Sequence, residues 1–299
     1  MYCGADLPEE VREEATQAAK RVKQARNLIG LEGAATGRDR VTRRYFVLEV
    51  SLDCPAESIA RACGVSAWEA RQWQAASSYR LVRIADEPPD GPTETAFEEN
   101  GLAFFAISEE AIGRSRRPVL IEAIRADAAI HASIRDDEER PSVRKTFGVE
   151  DLSLIVSGPI RRERVKEPGG KRALTDTRLE DGWLVHIHLK AQERPLEIDP
   201  LRTTFEGPGL ASAYMRTIEL VRSFSATVPC DEAFKNAVPA MAQAADPESD
   251  PLALKGEPKG SRREPKIVIL DNSGQFKEYS AWRGQVEAMK RLQSRRATE

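Results

Sequence analysis

The sequence has few aromatic residues, cysteines and histidines, and it has no long apolar run. Aromatic residues make up 6% of the 299 positions, and there are four cysteines and three histidines. Without about 18 consecutive apolar residues the chain offers no membrane-spanning helix, and its start lacks the pattern of a secretory signal peptide. Four scattered cysteines do not form the disulfide framework of a small secreted domain. We therefore expect a cytoplasmic protein with reduced thiols.

The sequence also lacks the short motifs that mark common enzyme classes. It has no Gly-x-x-x-x-Gly-Lys-Ser/Thr loop, no dinucleotide-binding glycine motif, no His-Glu-x-x-His pair and no Gly-x-Ser-x-Gly elbow. The formal net charge of −3 argues against a general nucleic-acid coat. We therefore predict a protein that is not an enzyme.

Changes in composition divide the chain into five predicted parts. They are an N-terminal helix at 1–30, a small α/β domain at 42–110, a β-rich domain with a capping helix at 117–228, a linker at 229–266 and a C-terminal hairpin and helix at 267–299. Within the linker, the Pro-, Gly- and charge-rich residues from 246 onward are typical of disorder. In the last part, "KIVIL" and "QFKEY" predict two strands, and a helix is predicted to begin at Ser280.

The pattern from 45 to 108 predicts a unit with the order β-α-α-β-α-β. Aromatic and β-branched residues make "YFVLEVSL" a strand, and "YRLVRIA" and "LAFFAIS" follow the same pattern further along. Between the first two strands, Gly64 ends one short helix. Ser66 and Glu69 then form the capping-box pattern that begins a second helix. A third helix is predicted to end at Gly101.

Strand signals dominate from 117 to 206, and a helix is predicted at 209–225. Short apolar runs separated by turn residues predict antiparallel strands, with a long polar loop at 165–182. We predict a barrel-like or curled sheet capped by the helix. The fold class is therefore α+β, with a small β-α-α-β-α-β domain followed by an antiparallel β-rich, barrel-like domain and a C-terminal capping helix.

Residues 56–76 admit two interpretations. "ESIARACGVSAWEARQW" resembles a helix-turn-helix signature, with Gly64 at the turn and Ala70 at the buried position. In that interpretation Arg71 reaches base edges, and the chain is a DNA-binding regulator. The flanking strands favour the alternative, in which both helices pack on a sheet. A single arginine near Glu69 also offers little phosphate contact.

Four runs between 45 and 108 carry a family resemblance: the opening strand, "SAWEAR", "YRLVRIAD" and "FEENGLAFF". They are similar to the C-terminal domain of the ribosomal large-subunit stalk protein and to protease-adaptor domains of the same fold. That family recruits proteins and has no catalytic residues, so the resemblance implies a fold and a protein-binding role. Trp68 and Trp73 depart from the family pattern, and its lysine-rich binding helix is not reproduced. No particular partner is therefore implied.

A second resemblance concerns the end of the β-rich region. "PLEID" and "LRTTFEG" lead directly into the helix predicted at 209–225. Residues 117–228 thereby resemble the pleckstrin-homology superfold, in which a C-terminal helix closes one end of a seven-stranded barrel. The sequence has no recognisable lipid-reading basic motif, so phosphoinositide binding is not expected.

Four residues are candidate metal ligands. "MYCGADLPEE" is typical of a Cys-x-x-Cys knuckle that lacks its first cysteine, so Cys3 is a zinc candidate if a cysteine codon lies directly upstream. His186 and His188 alternate with apolar residues, and His131 lies on the polar side of its own strand. The three histidines could therefore share one sheet surface and bind zinc. The alternative is a free cysteine and solvent-exposed histidines, with no cofactor.

The candidate partner-binding residues are of the types found at interface hot spots. They are Trp68, Arg71 and Trp73 in the small α/β domain, and Phe276, Tyr279 and Trp282 near the C-terminus. For the aromatic residues the alternative is burial in the core. We expect a cytoplasmic, non-enzymatic adaptor with a protein partner and no membrane contact. The alternative is the DNA-binding regulator, and the sequence leaves the oligomeric state open.

Overall fold

The computed structural model describes residues 41–76, 78–127, 129–136, 141–167, 176–207, 211–234, 237 and 266–298. Residues from Thr42 onward belong to one compact unit. The helix predicted at 1–30, Cys3, and nearly all of the Pro- and Gly-rich linker segment lie outside the described residues. So do parts of the loop predicted at 165–182.

The first half of the unit is a three-stranded antiparallel sheet with helices on one face. Its elements are β1 (Thr42–Glu49), α1 (Ala56–Cys63), α2 (Ala67–Ala76), β2 (Tyr79–Glu87), α3 (Pro92–Glu99) and β3 (Phe104–Ser108). The strand order is β2-β1-β3, and the predicted β-α-α-β-α-β order is confirmed. A short helix that the sequence analysis missed, α4 (Glu109–Ser115), follows β3, and Ser108 caps it by accepting a hydrogen bond from the Ala111 amide.

The second half is a larger, mixed sheet. Its elements are β4 (Val119–Ala126), β5 (Ile130–Arg135), β6 (Val143–Phe147), β7 (Leu152–Glu167), β8 (Asp176–Leu189), β9 (Leu196–Ile198), β10 (Thr204–Phe205), α5 (Ala213–Phe224), β11 (Cys230–Asp231), β12 (Lys266–Asp271) and α6 (Ser273–Thr298). The main order is β11-β7-β8-β9-β4-β5-β6. These two halves confirm the α+β class. Pairing among the described strands does not close the sheet into a ring.

Two predictions for this region were wrong in detail. "DLSLIVSG" and "PIRRERV", which as separate runs predict two strands, form one continuous strand, β7. The polar loop predicted at 165–182 is shorter, because β8 already begins at Asp176 and pairs with β7 along its length. Long antiparallel pairing of these two strands extends into residues whose polarity alone suggested a loop.

Helix α5 covers one face of the larger sheet. Its buried residues include Leu220, Val221 and Phe224, which pack with Ile187 of β8 and Ile130 of β5 in one apolar cluster. The helix predicted at 209–225 is confirmed with a later start. Its first turn begins after Ser212, whose hydroxyl accepts a hydrogen bond from the Met215 amide.

Helix α6 begins seven residues earlier than predicted and replaces the expected second strand of a hairpin. It runs from Ser273, so "QFKEY" is helical. Phe276, Tyr279, Trp282 and Val286 recur at steps of three and four residues, and all are fully or almost fully buried. The hairpin prediction was wrong because a short apolar-polar run does not distinguish a strand from a helix that is buried on several sides.

Helix α6 lies between the two sheets. One apolar cluster joins its residues to Tyr45 and Val47 of β1 and to Leu154 and Leu184 of the larger sheet. The opposite face of β1 packs against α1 to α3 in a separate cluster. The core therefore crosses the boundaries that the sequence suggested at 110 and 267. Among the described helices, none combines the length and the apolar character that crossing a membrane requires.

Candidate functional site

The candidate site is the outer surface of α2, and it begins with the cap of that helix. The Ser66 hydroxyl accepts a hydrogen bond from the Glu69 amide at 3.2 Å, and the Glu69 carboxylate accepts one from the Ser66 amide at 3.0 Å. This is the capping box that the sequence predicted. Hydrogen bonds from Ser66 lower the pKa of the Glu69 carboxyl, so the carboxylate stays ionised where the helix dipole favours negative charge.

The inner surface of α2 fixes the helix to the sheet. Ala70 is fully buried and Trp73 is nearly so, and both pack with Phe46 of β1. The Arg80 guanidinium of β2 lies over the Trp73 ring at 3.9 Å from its centroid, which adds a cation–π attraction. The Gln74 side chain also donates to the Leu52 and Cys54 carbonyls at 2.9 Å. The helix therefore has a defined inner and outer side.

The outer side, which we call the α2 surface, consists of Trp68, Arg71, Gln72 and Ala75, and all four are exposed. Trp68 is 68% exposed, an unusual position for the largest apolar side chain. Arg71 lies one turn further on, at i+3. Its side chain forms no hydrogen bond or ion pair with any part of the chain that the structure describes.

The two helices α1 and α2 meet as a helix-turn-helix does, but they do not form a three-helix core. Gly64 at the junction has φ +67°, in the left-handed region that suits glycine. Both helices pack against β1 residues and Phe97 of α3. The flanking sheet that the sequence favoured is therefore present.

Four of the six candidate partner-binding residues lie in the interior. Trp73 belongs to the cluster beneath α1 and α2, whereas Phe276, Tyr279 and Trp282 belong to the core around α6. In this conformation they hold the fold together, as the burial alternative for these aromatic residues foresaw. Only Trp68 and Arg71 of the six are exposed.

The predicted pair of histidines on β8 is buried beneath α6. His186 is 0% exposed and His188 is 6% exposed. His186 Nδ1 and His188 Nε2 each lie 2.8 Å from the Ser280 Oγ, and His186 Nε2 lies 3.2 Å from the Glu197 carboxylate. We call these four residues the His–Ser–Glu cluster. The prediction that both histidines share a face is confirmed, but the expected exposure is wrong because α6 covers that face.

The ionisation states of the residues in this cluster determine which atom donates and which accepts in each hydrogen bond. Burial raises the pKa of Glu197, but hydrogen bonding from His186 and the nearby Lys277 outweighs it and sets the pKa at about 2. An ionised Glu197 only accepts, so His186 Nε2 carries the proton and its Nδ1 accepts from the Ser280 hydroxyl. The Ser280 oxygen in turn accepts from His188 Nε2–H. Burial lowers the pKa of both histidines, that of His188 to about 3, so both are neutral.

Hydrolase triads also join a hydroxyl, an imidazole and a carboxylate in this order. This cluster differs from them because its hydroxyl is not accessible to a substrate. Ser280 and His186 are completely buried. In this conformation no substrate reaches the Ser280 oxygen, and the cluster serves to join α6 to β8 and β9.

The structure does not bring the three candidate histidine ligands together. His131 lies on β5, and β9 and β4 separate that strand from β8. At about 4.8 Å per strand, the three strand spacings alone put His131 at least roughly 14 Å from the other two histidines. Within the described residues, no group of three or more His, Cys, Asp or Glu side chains is arranged to hold a metal ion.

Two members of the cluster, Glu197 and Ser280, were missed by the sequence analysis. Both are ordinary polar residues in the sequence, and Ser280 is 94 positions from His186. The alternation of His186 and His188 was the one available signal, because it placed two polar groups on a single face of an otherwise apolar strand.

No family model, curated protein or solved structure matches this chain. The resemblances to the stalk-protein domain and to the pleckstrin-homology superfold therefore stay predictions.

Proposed function

We propose that the chain is a non-enzymatic protein-binding adaptor that acts in the cytoplasm and contacts its partner through the α2 surface. The observation that carries this proposal is the exposure of Trp68, 68%, on a helix whose opposite side is fixed to a sheet. Such a rigid aromatic side chain contributes a large contact area at a low cost in conformational entropy.

The charges of the α2 surface define the partner chemistry. Arg71 lacks a carboxylate partner within the described part of the chain, and Trp68 lies one helical turn before it. The partner we propose is a protein with an apolar recess for Trp68 and an acidic residue at its rim for Arg71. Tryptophan and arginine are both among the residue types that are enriched at interface hot spots.

The thiol chemistry supports a non-enzymatic role in a reducing compartment. Cys54, Cys63 and Cys230 are free thiols. Burial raises the pKa of all three, that of Cys63 to about 11. They are therefore protonated at neutral pH, which disfavours the thiolate that a nucleophilic cysteine needs.

The test is affinity purification of the full chain and three variants from the cells that produce it. Trp68→Ala and Arg71→Glu change the α2 surface, and Leu201→Ala is the matched control because Leu201 is 69% exposed elsewhere. We expect one partner protein in stoichiometric amount with the unchanged chain and with Leu201→Ala, and a loss of about 10-fold or more in affinity for the other two.

Two outcomes would overturn the proposal. One is the absence of a stoichiometric partner, or its equal retention by all variants. The other is salt-dependent binding of duplex DNA that Arg71→Glu abolishes, which would establish the DNA-binding regulator in its place.

A further inference from the structure

The exposed face of β4, β5 and β6 carries a cleft that neither the α2 surface nor the His–Ser–Glu cluster includes. Its volume is about 190 Å³, below the roughly 300–1,000 Å³ of pockets for drug-sized ligands. The residues that line it are Ala123, Arg125, His131, Ala132, Ser133, Arg144, Lys145, Thr146 and Glu206. A cleft of this size fits a single small group.

The strand register explains how these residues meet. His131 is opposite Arg125 on β4 and opposite Thr146 on β6. The next row outward on the same face joins Ser133 to Arg144 of β6 and to Ala123 of β4. Residues directly opposite in an antiparallel pair lie on the same face. The small Ala123 side chain leaves the space between two basic residues open.

The cleft holds more positive charge than its own acidic residues neutralise. The Arg144 side chain forms no hydrogen bond or ion pair within the described part of the chain. Arg125 has only Asp127, at 3.6 Å and with both side chains more than half exposed, where an ion pair contributes little. Glu206 is the one carboxylate among the lining residues.

His131 and Glu206 of the lining are held in place. His131 Nδ1 lies 3.0 Å from the Thr146 hydroxyl, and its Nε2 lies 3.4 Å from the Asp127 carboxylate. The Glu206 amide donates to the Ile124 carbonyl at 2.8 Å, and the Arg216 side chain donates to the Glu206 carbonyl at 2.8 Å. The positions of these two residues therefore do not depend on a ligand.

We propose that the β4–β6 cleft binds the phosphate group of a small phosphorylated molecule. The guanidinium groups of Arg125 and Arg144 offer planar, paired N–H donors that match phosphate oxygens. Ser133 adds a hydroxyl donor. Phosphate presents three acceptor oxygens in different directions, which suits donors arranged around a concave site. This site is independent of the α2 surface and of the proposed adaptor role.

The experiment is titration of the full chain with inorganic phosphate, followed by calorimetry, at constant ionic strength. We expect binding in the millimolar range or tighter. Arg144→Ala weakens it by about 10-fold, because a hydrogen bond between charged groups is lost. Glu206→Gln strengthens it by removing the repulsive carboxylate. The matched control is Arg222→Ala, an exposed arginine on α5, which covers the opposite face of the sheet.

The outcomes separate this site from general attraction to charge. Unchanged binding by Arg222→Ala, together with weaker binding by Arg144→Ala and stronger binding by Glu206→Gln, supports the site. Equal weakening by both arginine variants would overturn it. So would the absence of phosphate binding by the unchanged chain when its thermal unfolding shows that it is folded. Binding only to phosphatidylcholine vesicles that contain phosphatidic acid would also overturn it, because the ligand would then be a membrane surface.

Discussion

Gly284 of α6 lies directly against the ring of His188. A Cβ atom built on Gly284 would stand 2.3 Å from both His188 Cε1 and His188 Nδ1, far inside van der Waals contact. The glycine therefore lets the helix approach the sheet closely enough for Ser280 to bridge the two histidines. Close approach, rather than backbone conformation, explains a glycine in the middle of this helix.

Gly284→Ala is expected to destabilise the fold, although alanine favours a helix by up to about 1 kcal/mol over glycine. The methyl group forces α6 away from His188, and overpacking costs about 1–3 kcal/mol. Gly274→Ala is the matched control on the same helix, because nothing lies within 4 Å of its added Cβ. Urea unfolding followed by circular dichroism should show a loss for Gly284→Ala only. Equal effects would contradict the close packing.

Ser280→Ala is expected to lower the free energy of unfolding by about 1–3 kcal/mol, because it leaves buried imidazole nitrogens without partners. Ser225→Ala is the control, since its exposed hydroxyl donates to the Arg222 carbonyl three residues back, and this variant should change stability by about 0.5 kcal/mol or less. The measurement is again urea unfolding. A Ser280→Ala chain as stable as the control would show that the cluster contributes nothing to the docking of α6.

Stability should fall as the pH drops below about 6.5. Burial holds the pKa of His186 and His188 below their ordinary value of 6.5, so the unfolded chain binds more protons than the folded one. The histidine contribution is therefore complete above that pH and is lost as the pH falls toward the folded-state pKa. The lowered pKa of Glu197 adds a further loss below its ordinary value of 4.5.

The size of this pH effect follows from linkage. Each histidine contributes a slope of up to about 1.4 kcal/mol per pH unit. The free energy of unfolding, measured in urea between pH 7 and pH 5, should therefore change less steeply with pH for His188→Gln than for the unchanged chain. The control Gln72→Ala on the exposed side of α2 changes no titratable group and should keep the original slope. Identical slopes in all three chains would refute the burial of His188.

The two tryptophans of α2 should differ sharply in their effect on stability. Trp73→Ala removes a buried ring and its contact with Arg80, and we expect a loss of about 3–5 kcal/mol. Trp68→Ala removes an exposed ring and should change stability by about 0.5 kcal/mol or less. Circular dichroism in urea measures both without relying on tryptophan fluorescence. Comparable losses would mean that Trp68 is also part of the core.

Local patterns were sufficient for the β-α-α-β-α-β unit in the first half of the fold. The capping box at Ser66 and Glu69, the glycine stop at Gly64 and the β-branched strands all depend on neighbours within a few residues, and the sequence shows them directly. The same patterns failed for α6. Its helical stripe begins at Phe276, within a run that also suits a strand, and only its burial between two sheets distinguishes the helix.

The candidate sites were partly predictable for the same reason. Trp68 and Arg71 are visible in the sequence because a helix places them one turn apart. Their exposure could not be predicted from the sequence, because it depends on which side of α2 packs against β1. The cleft around Arg144 depends on strand register, and the partnership of Ser280 with His186 joins positions 94 residues apart. No pattern within a few neighbouring residues of the sequence indicates the cleft or the contact between these two residues.

The central claim is that the outer side of α2 contacts a partner protein, and crosslinking in living cells tests it most directly. A photoreactive benzoylphenylalanine in place of Gln72 lies between Arg71 and Trp73 in sequence and keeps Trp68 intact. The same substitution at the exposed Glu219 of α5 is the control. We predict one discrete adduct from position 72 that disappears when Trp68→Ala is added, and none from position 219. No adduct at position 72, or the same adducts at both positions, would contradict the claim.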